Sequence, residues 1–343
     1  MNKKIKLLSA LLLLLFLFFG AFSNALAIEY GMLGGKPAYP KANEPHGETW
    51  FVYGLKPGEA LEDGIEIMNL YDESWDALIY AADTTKSSGG GFALKQFSEP
   101  KNEVGSWVRF YPNDPPEPFK QILEKKRGAI LELCQASREE VANKLKKKEL
   151  SEEEWGGLVG WCRGEEYIQR KMGPKEKTTI PFVFRVPDDI DVGEHTGGIL
   201  IQKVSPESQE TSQGSAIKLT TRVGVRIYET VPGEIVKKMT LEGFEVKKNF
   251  GEFDFRDWFG KDRKKQEYLV QSRVQSESNI SLEYHDVIHV KDLIFGQRSQ
   301  DIDRSFQILR KDKFISNLSW NNPRFGWFSF QTEAKYVDQS GQE

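Results

Sequence analysis

The sequence predicts a mainly β protein, two tandem immunoglobulin-like β-sandwiches with a helical hairpin inserted in the first. Three observations predict it. Period-two apolar runs recur along the chain, turn residues separate them at short intervals, and helical spacing with capping residues is confined to residues 113–170. A chain of 343 residues has room for two domains of ordinary size.

The beginning reads as an export leader. Lys3, Lys4 and Lys6 precede an apolar run from Leu7 to Phe19, and Ala25-Leu26-Ala27 fits the small-x-small rule, so cleavage is expected after Ala27. The alternative is an uncleaved anchor, but the run is shorter than the roughly 20 residues of a comfortable span. Removing residues 1–27 takes away three lysines and no acid, moving the formal charge from −4 to −7. A mildly acidic, mixed surface gives no electrostatic footprint for nucleic acid.

Residues 28–48, rich in Gly and Pro, read as an extended lead-in to a first domain of residues 28–230. Trp50 to Tyr53 begins the strands, and Lys56-Pro57-Gly58-Glu59 is a turn. Ile65 and Ile67 alternate in the next strand. Trp75, Ala77, Ile79 and Ala81 then share one face, with Leu78 and Tyr80 on the other, and Trp107 to Tyr111 makes another strand. Trp50, Trp75 and Trp107 are expected in the core.

In the insert, Phe119, Ile122, Leu123, Ile130, Leu133 and Cys134 fall at the spacing of one helix, weakened by Gly128. Ser137 with Glu140, and Ser151 with Glu154, are spaced as capping boxes at two helix starts. Cys134 and Cys162 lie on the apolar stripes, so packed helices would bring them together. In an oxidising compartment the pair favours a disulfide, and closing that loop contributes on the order of 3 kcal/mol.

The stretch Lys175 to Val204 organises the first domain. Ile180, Phe182, Phe184 and Val186 put four apolar side chains on one face, Pro187 ends the strand, and Ile199-Leu200-Ile201 begins another. The pair reads as adjacent antiparallel strands. Ile217, Leu219, Val223, Val225 and Ile227 keep odd positions in the longest alternation, with Thr221 its one polar entry, read as an edge-to-edge strand of the first domain. Glu229 to Gly233 reads as a linker to residues 231–343. There, strands are expected near 239–246, 268–274, 280–290, 305–309 and 328–336, the last with Phe328, Phe330, Thr332, Ala334 and Tyr336 on one face.

Catalytic signals are sparse. No G-x-S-x-G elbow is present, and the glycine run at 89–91 lacks the G-K-[ST] ending of a phosphate loop. His285 and His289 share a strand face but stand ~13 Å apart, too far for one ion. His195, in GEHTGG, reads as a polar turn residue, and the fourth histidine is His46. The many acids leave carboxylate pairing undecided. No catalytic residue, metal or cofactor is assigned. Phe253, Phe255, Trp258 and Phe259, among acids and ahead of a basic run, are the candidate partner- or glycan-binding residues, because aromatics supply contact area at low entropic cost. An ordinary core edge is the alternative.

The K-P-G-E turn, GSWVRF (105–110), TTIPFVFRVP and GEHTGGILIQ together resemble the N-terminal domain of the bacterial WxL-interacting protein family, over residues 49–111 and 175–228. The resemblance implies an immunoglobulin-like domain that binds peptidoglycan, a second sandwich that contacts WxL-domain surface proteins, and a C-terminal transmembrane helix. PRFGWFSF (323–330) is similar to that family's last core strand. The insert is outside the family pattern, and the expected anchor would lie beyond Glu343.

The leading expectation is therefore a non-enzymatic, extracytoplasmic adaptor contacting peptidoglycan or cell-surface proteins. A chaperone-like protein lending a strand edge to a secreted partner is the alternative binding class, and a wall-polymer enzyme the third.

Overall fold

Alternation dictates most of the architecture. In the computed structural model, residues 33–41, 44, 46–86, 92–112, 114–124, 126–204, 221–249, 266–293, 299–322 and 327–337 are described. The leader with its cleavage point after Ala27, and the aromatic group Phe253, Phe255, Trp258 and Phe259, lie outside them.

The strands of the first sandwich are β1 (Leu33–Pro37), β2 (Phe51–Tyr53), β3 (Ala60–Asn69), β4 (Trp75–Lys86), β5 (Phe92–Leu94), β6 (Val108–Phe110), β7 (Tyr167–Met172), β8 (Lys177–Arg185), β9 (Gly193–Val204) and β10 (Arg222–Val231). One sheet has the order β1-β3-β8-β6. The facing sheet runs β2-β10-β9-β4-β5, with β7 also on β4. Ile65, Ile67, Ile180, Phe182 and Phe184 from the first sheet meet Ile79, Ile199, Ile201, Val225 and Ile227 from the second in one buried cluster. Each such side chain contributes roughly 1.5–3 kcal/mol by leaving water. On β4, Trp75, Ala77, Ile79 and Ala81 face this core, while Leu78 and Tyr80 pack outside with Leu200.

The expected hairpin of residues 180–204 is instead an arch. β8 pairs with β3 and β6, and β9 pairs with β4 and β10, so the two strands stand in opposite sheets. Residues 186–192 cross from one sheet to the other, and the two apolar faces meet across the core. Alternation shows which face is buried and is silent on whether the partner lies beside the strand or opposite it.

The insert also departs from expectation. Gly128, at φ 92°, starts a helix instead of sitting inside one: Phe119–Gln121 is a 3₁₀ turn, and α1 (Ala129–Gln135) follows the break. With α2 (Arg138–Lys144) and α3 (Glu152–Trp161), the described residues of the insert hold three short α-helices, not a hairpin. Both capping boxes are formed, Ser137 with Glu140 and Ser151 with Glu154. Cys134 and Cys162 are disulfide-bonded, with Cα atoms 5.5 Å apart. The helical part ends before residue 170, since β7 already belongs to the sheet.

Two buried carboxylates tie the insert to the sheet. Glu62 accepts hydrogen bonds from the Ile130 and Leu131 backbone N–H groups, at 2.8 and 3.1 Å. Asp63 accepts from the Tyr53 hydroxyl at 3.0 Å and from Arg127 at 3.2 Å. Burial pushes both carboxyls up from their ordinary values.

The second sandwich comprises β11 (Met239–Asn249), β12 (Gln266–Ser276), β13 (Leu282–Asp292), β14 (Ser299–Ile308), β15 (Lys313–Asn322) and β16 (Phe328–Val337). Its sheets are β11-β12-β15 and β14-β13-β16. Val270, Val274, Tyr284, Ile288 and Ile308 fill the interior. Asp286 is buried there too, held by Arg304, Thr332 and, at 3.2 Å, Ser272.

Candidate functional site: an open strand edge and the junction behind it

β10 pairs with β9 along its whole length, but β2 covers its other edge only at Ile227 to Glu229. Along Arg222 to Arg226 that edge has no strand partner among the described residues. Its register identifies the free groups. The Lys203 backbone N–H donates to the Thr221 carbonyl at 3.1 Å, so odd residues direct their backbone toward β9. Arg222, Gly224 and Arg226 then direct theirs outward.

β10 holds the described part of the alternating run expected from Ile217 to Ile227, residues 217–220 lying outside the described residues, and its N-terminal half is where the edge is open. Val225 and Ile227 are buried, with Val223 packed partly against them. β1 runs close by: a Cβ at Gly35 would lie 2.4 Å from the Ile201 side chain and 3.2 Å from that of Val225. The lack of a side chain lets β1 press onto the residues behind the edge.

Arginines flank the edge on the outer face. Arg226 lies over the rings of Trp50 and Phe92, 5.0 and 4.7 Å from their centroids, and Arg222 donates to Gln96 at 2.9 Å. Trp50 is therefore not in the core. It precedes β2 and stacks with His46 and Tyr228 at 4.2 and 5.3 Å, whereas Trp75 and Trp107 are buried.

β9 and β10 both run from this edge into the junction with the second sandwich. His195, expected in a turn, lies in β9 with a fully buried side chain. Its Nδ1 is 2.7 Å from Glu103, and its Nε2 is 2.9 Å from the Asp191 carbonyl and 3.0 Å from Arg310. Glu103 arrives on a loop held by buried Asp83, which accepts from the Asn102 and Gly105 N–H groups at 2.8 Å each. Asp191 accepts from Arg310 and Lys311 of the second sandwich at 2.9 and 2.5 Å. Burial pulls the Asp191 carboxyl up, but hydrogen bonds and charge from Lys311 and Arg310 outweigh it and hold the group below its ordinary value.

Beside it, Glu194 is bound by the Ser281 hydroxyl, and its backbone N–H donates to the Asn279 carbonyl at 2.8 Å. Burial pushes the Glu194 carboxyl up. Glu229, on β10, accepts from the Leu55 N–H at 2.7 Å, and burial lifts it to about 7. The glycines and acids around His195 resemble turn chemistry, which hid these roles; the signal present was a histidine flanked by Asp191 and Glu194.

His195 is enclosed on both ring nitrogens, and no group of metal-ligating side chains occurs among the described residues. His285 and His289 lie on β13 beside Glu283 and Asp301 respectively. Among the described residues no helix is long and apolar enough to cross a membrane.

No family model matches the chain, and no curated protein does. Among solved structures, it is similar to a chain of the chaperone–tip adhesin complex of CFA/I fimbriae biogenesis, at 8% identity, covering 88% of this chain and 98% of that one, with a TM-score of 0.34. The class 5 fimbriae chaperone CfaA gives 8% identity, 84% and 99% coverage, and a TM-score of 0.32. The Pseudomonas aeruginosa CupB2 chaperone gives 7% identity, 84% and 96% coverage, and 0.30.

Proposed function

We propose that the chain is a non-enzymatic, extracytoplasmic binding protein whose first sandwich accepts an extended segment of a secreted partner protein as an added strand on the open edge of β10. The observation that carries this reading is the row of outward backbone groups at Arg222, Gly224 and Arg226. Unpaired edge groups are completed by a strand supplying the complementary row. The leader-like residues 1–27 support a place outside the cytoplasmic membrane. Arg222 and Arg226 beside the edge favour a partner segment carrying acids and disfavour a second copy of the same arginine-flanked edge.

The experiment is capture of secreted proteins by purified wild type and by Arg222→Pro. Proline at 222 removes one outward N–H and leaves the bonds to β9 intact. Wild type is expected to retain a partner that the variant, folded by circular dichroism, loses. Equal capture by both contradicts strand addition.

A second reading, glycan contact at the wall as the WxL-interacting resemblance implies, has one supporting observation. Phe97 and Tyr167 are 38% and 46% exposed, with Phe97 5.1 Å from the Tyr80 ring. Co-sedimentation with purified peptidoglycan, lost in Phe97→Ala, would favour that surface; a protein left wholly in the supernatant at low salt excludes it.

A further inference from the structure

Between the insert and the outer face of the first sheet lies a cleft of about 430 Å³, within the size range of small-molecule sites. Its cations are placed by the fold. Phe110, Phe182 and Phe184 point into the core, so the neighbouring positions Arg109 on β6 and Arg185 on β8 fall on the outer face. Arg163 follows α3. It is fixed beside them because Cys162 is bridged to Cys134 and its carbonyl accepts from the Tyr111 hydroxyl at 2.9 Å.

Three guanidinium groups thus line one cleft, and their compensation is thin. Arg109 has exposed Glu166 at 3.6 Å, Arg185 reaches only the Gly58 carbonyl at 3.4 Å, and the Arg163 side chain has no partner among the described residues. Burial pushes the Tyr111 hydroxyl up, while positive charge from Arg185 and Arg109 pulls against it. Leu131, Val183, Trp107 and the disulfide supply the apolar part of the wall, beside the neutral polar side chains of Ser106 and Gln135.

We infer that this cleft binds a small ligand carrying an oxyanion, carboxylate or phosphate, on an apolar body. Guanidinium matches either oxyanion in planar, two-point fashion. The apolar wall takes the remainder. The inference is independent of the strand edge, which lies on the opposite sheet.

The test is a titration of the full chain at low salt with benzoate and with phenyl phosphate, following arginine side-chain Nε–Hε resonances. Benzyl alcohol and inorganic phosphate serve as the body-only and anion-only controls. One aryl anion is expected to bind more tightly than either control, and which one identifies the head group. Arg163→Gln/Arg185→Gln should weaken it by about tenfold or more. Arg163→Gln alone, outside any strand, serves if the double variant misfolds, and its titration too must weaken. Equal binding of benzyl alcohol or of inorganic phosphate, unchanged binding in a folded variant, or no shift with either anion at about 50 mM overturns the inference.

Discussion

Gly193 is the residue on which the junction turns. At φ 118° it begins β9, and a Cβ there would lie 2.1 Å from the Asn279 carbonyl oxygen. Gly193→Ala is therefore expected to cost about 2 kcal/mol or more, from backbone strain and loss of the Glu194–Asn279 contact, read as a drop in the denaturant midpoint. Glu229 makes a different prediction. The folded chain keeps its proton up to about pH 7, while the unfolded chain releases it near the ordinary value of 4.5. This group's contribution to stability is thus complete at low pH and lost as pH rises from about 4.5 to about 7. Glu229→Gln should flatten that slope in denaturation midpoints measured across this window; an unchanged slope refutes the assignment. None of this was legible in the sequence, because Glu194 and His195 meet Ser281 and Arg310 of the second sandwich, Glu229 is buried against the distant Leu55, and all three look like turn or linker chemistry.

At the scale of elements, the signals that could be read were those with a local cause. Capping boxes and alternation act within a few residues, so α2, α3 and the buried faces of β4, β8 and β10 follow directly from spacing. Ser151→Ala should remove the α3 cap and lower stability by about 1 kcal/mol in chemical denaturation. The bridge Cys134–Cys162 closes a 28-residue separation. Its removal in Cys134→Ser/Cys162→Ser is expected to cost about 3 kcal/mol, seen as faster proteolysis within residues 114–165 while the rest of the chain resists. What spacing left open was the partner of each strand. The arch between β8 and β9 buries the same residues as a hairpin, and the kinship read from those two motifs loses the adjacent pairing it assumed. β15 is hidden because Ser316 interrupts the face of Phe314, Leu318 and Trp320 and Ile315 puts an apolar side chain on the other.

At the scale of the molecule, the start of β9 meets the second sandwich, and β10, paired to β9 along its length, presents the free edge. Ion pairs from Asp191 to Arg310 and Lys311, with His195 and Glu194 enclosed beneath, brace β9, and β9 in turn holds β10, the strand that a partner would extend. Bracing matters for strand addition, since an edge held in register meets an incoming segment without first losing conformational entropy. The most direct test is amide hydrogen exchange of the full chain, free and in complex with its captured partner. Arg222, Gly224 and Arg226 are expected to exchange readily in the free protein and slow markedly in the complex, while Val223 and Val225, already bonded to β9, change little. A complex in which those three amides exchange as they do in the free chain would contradict it.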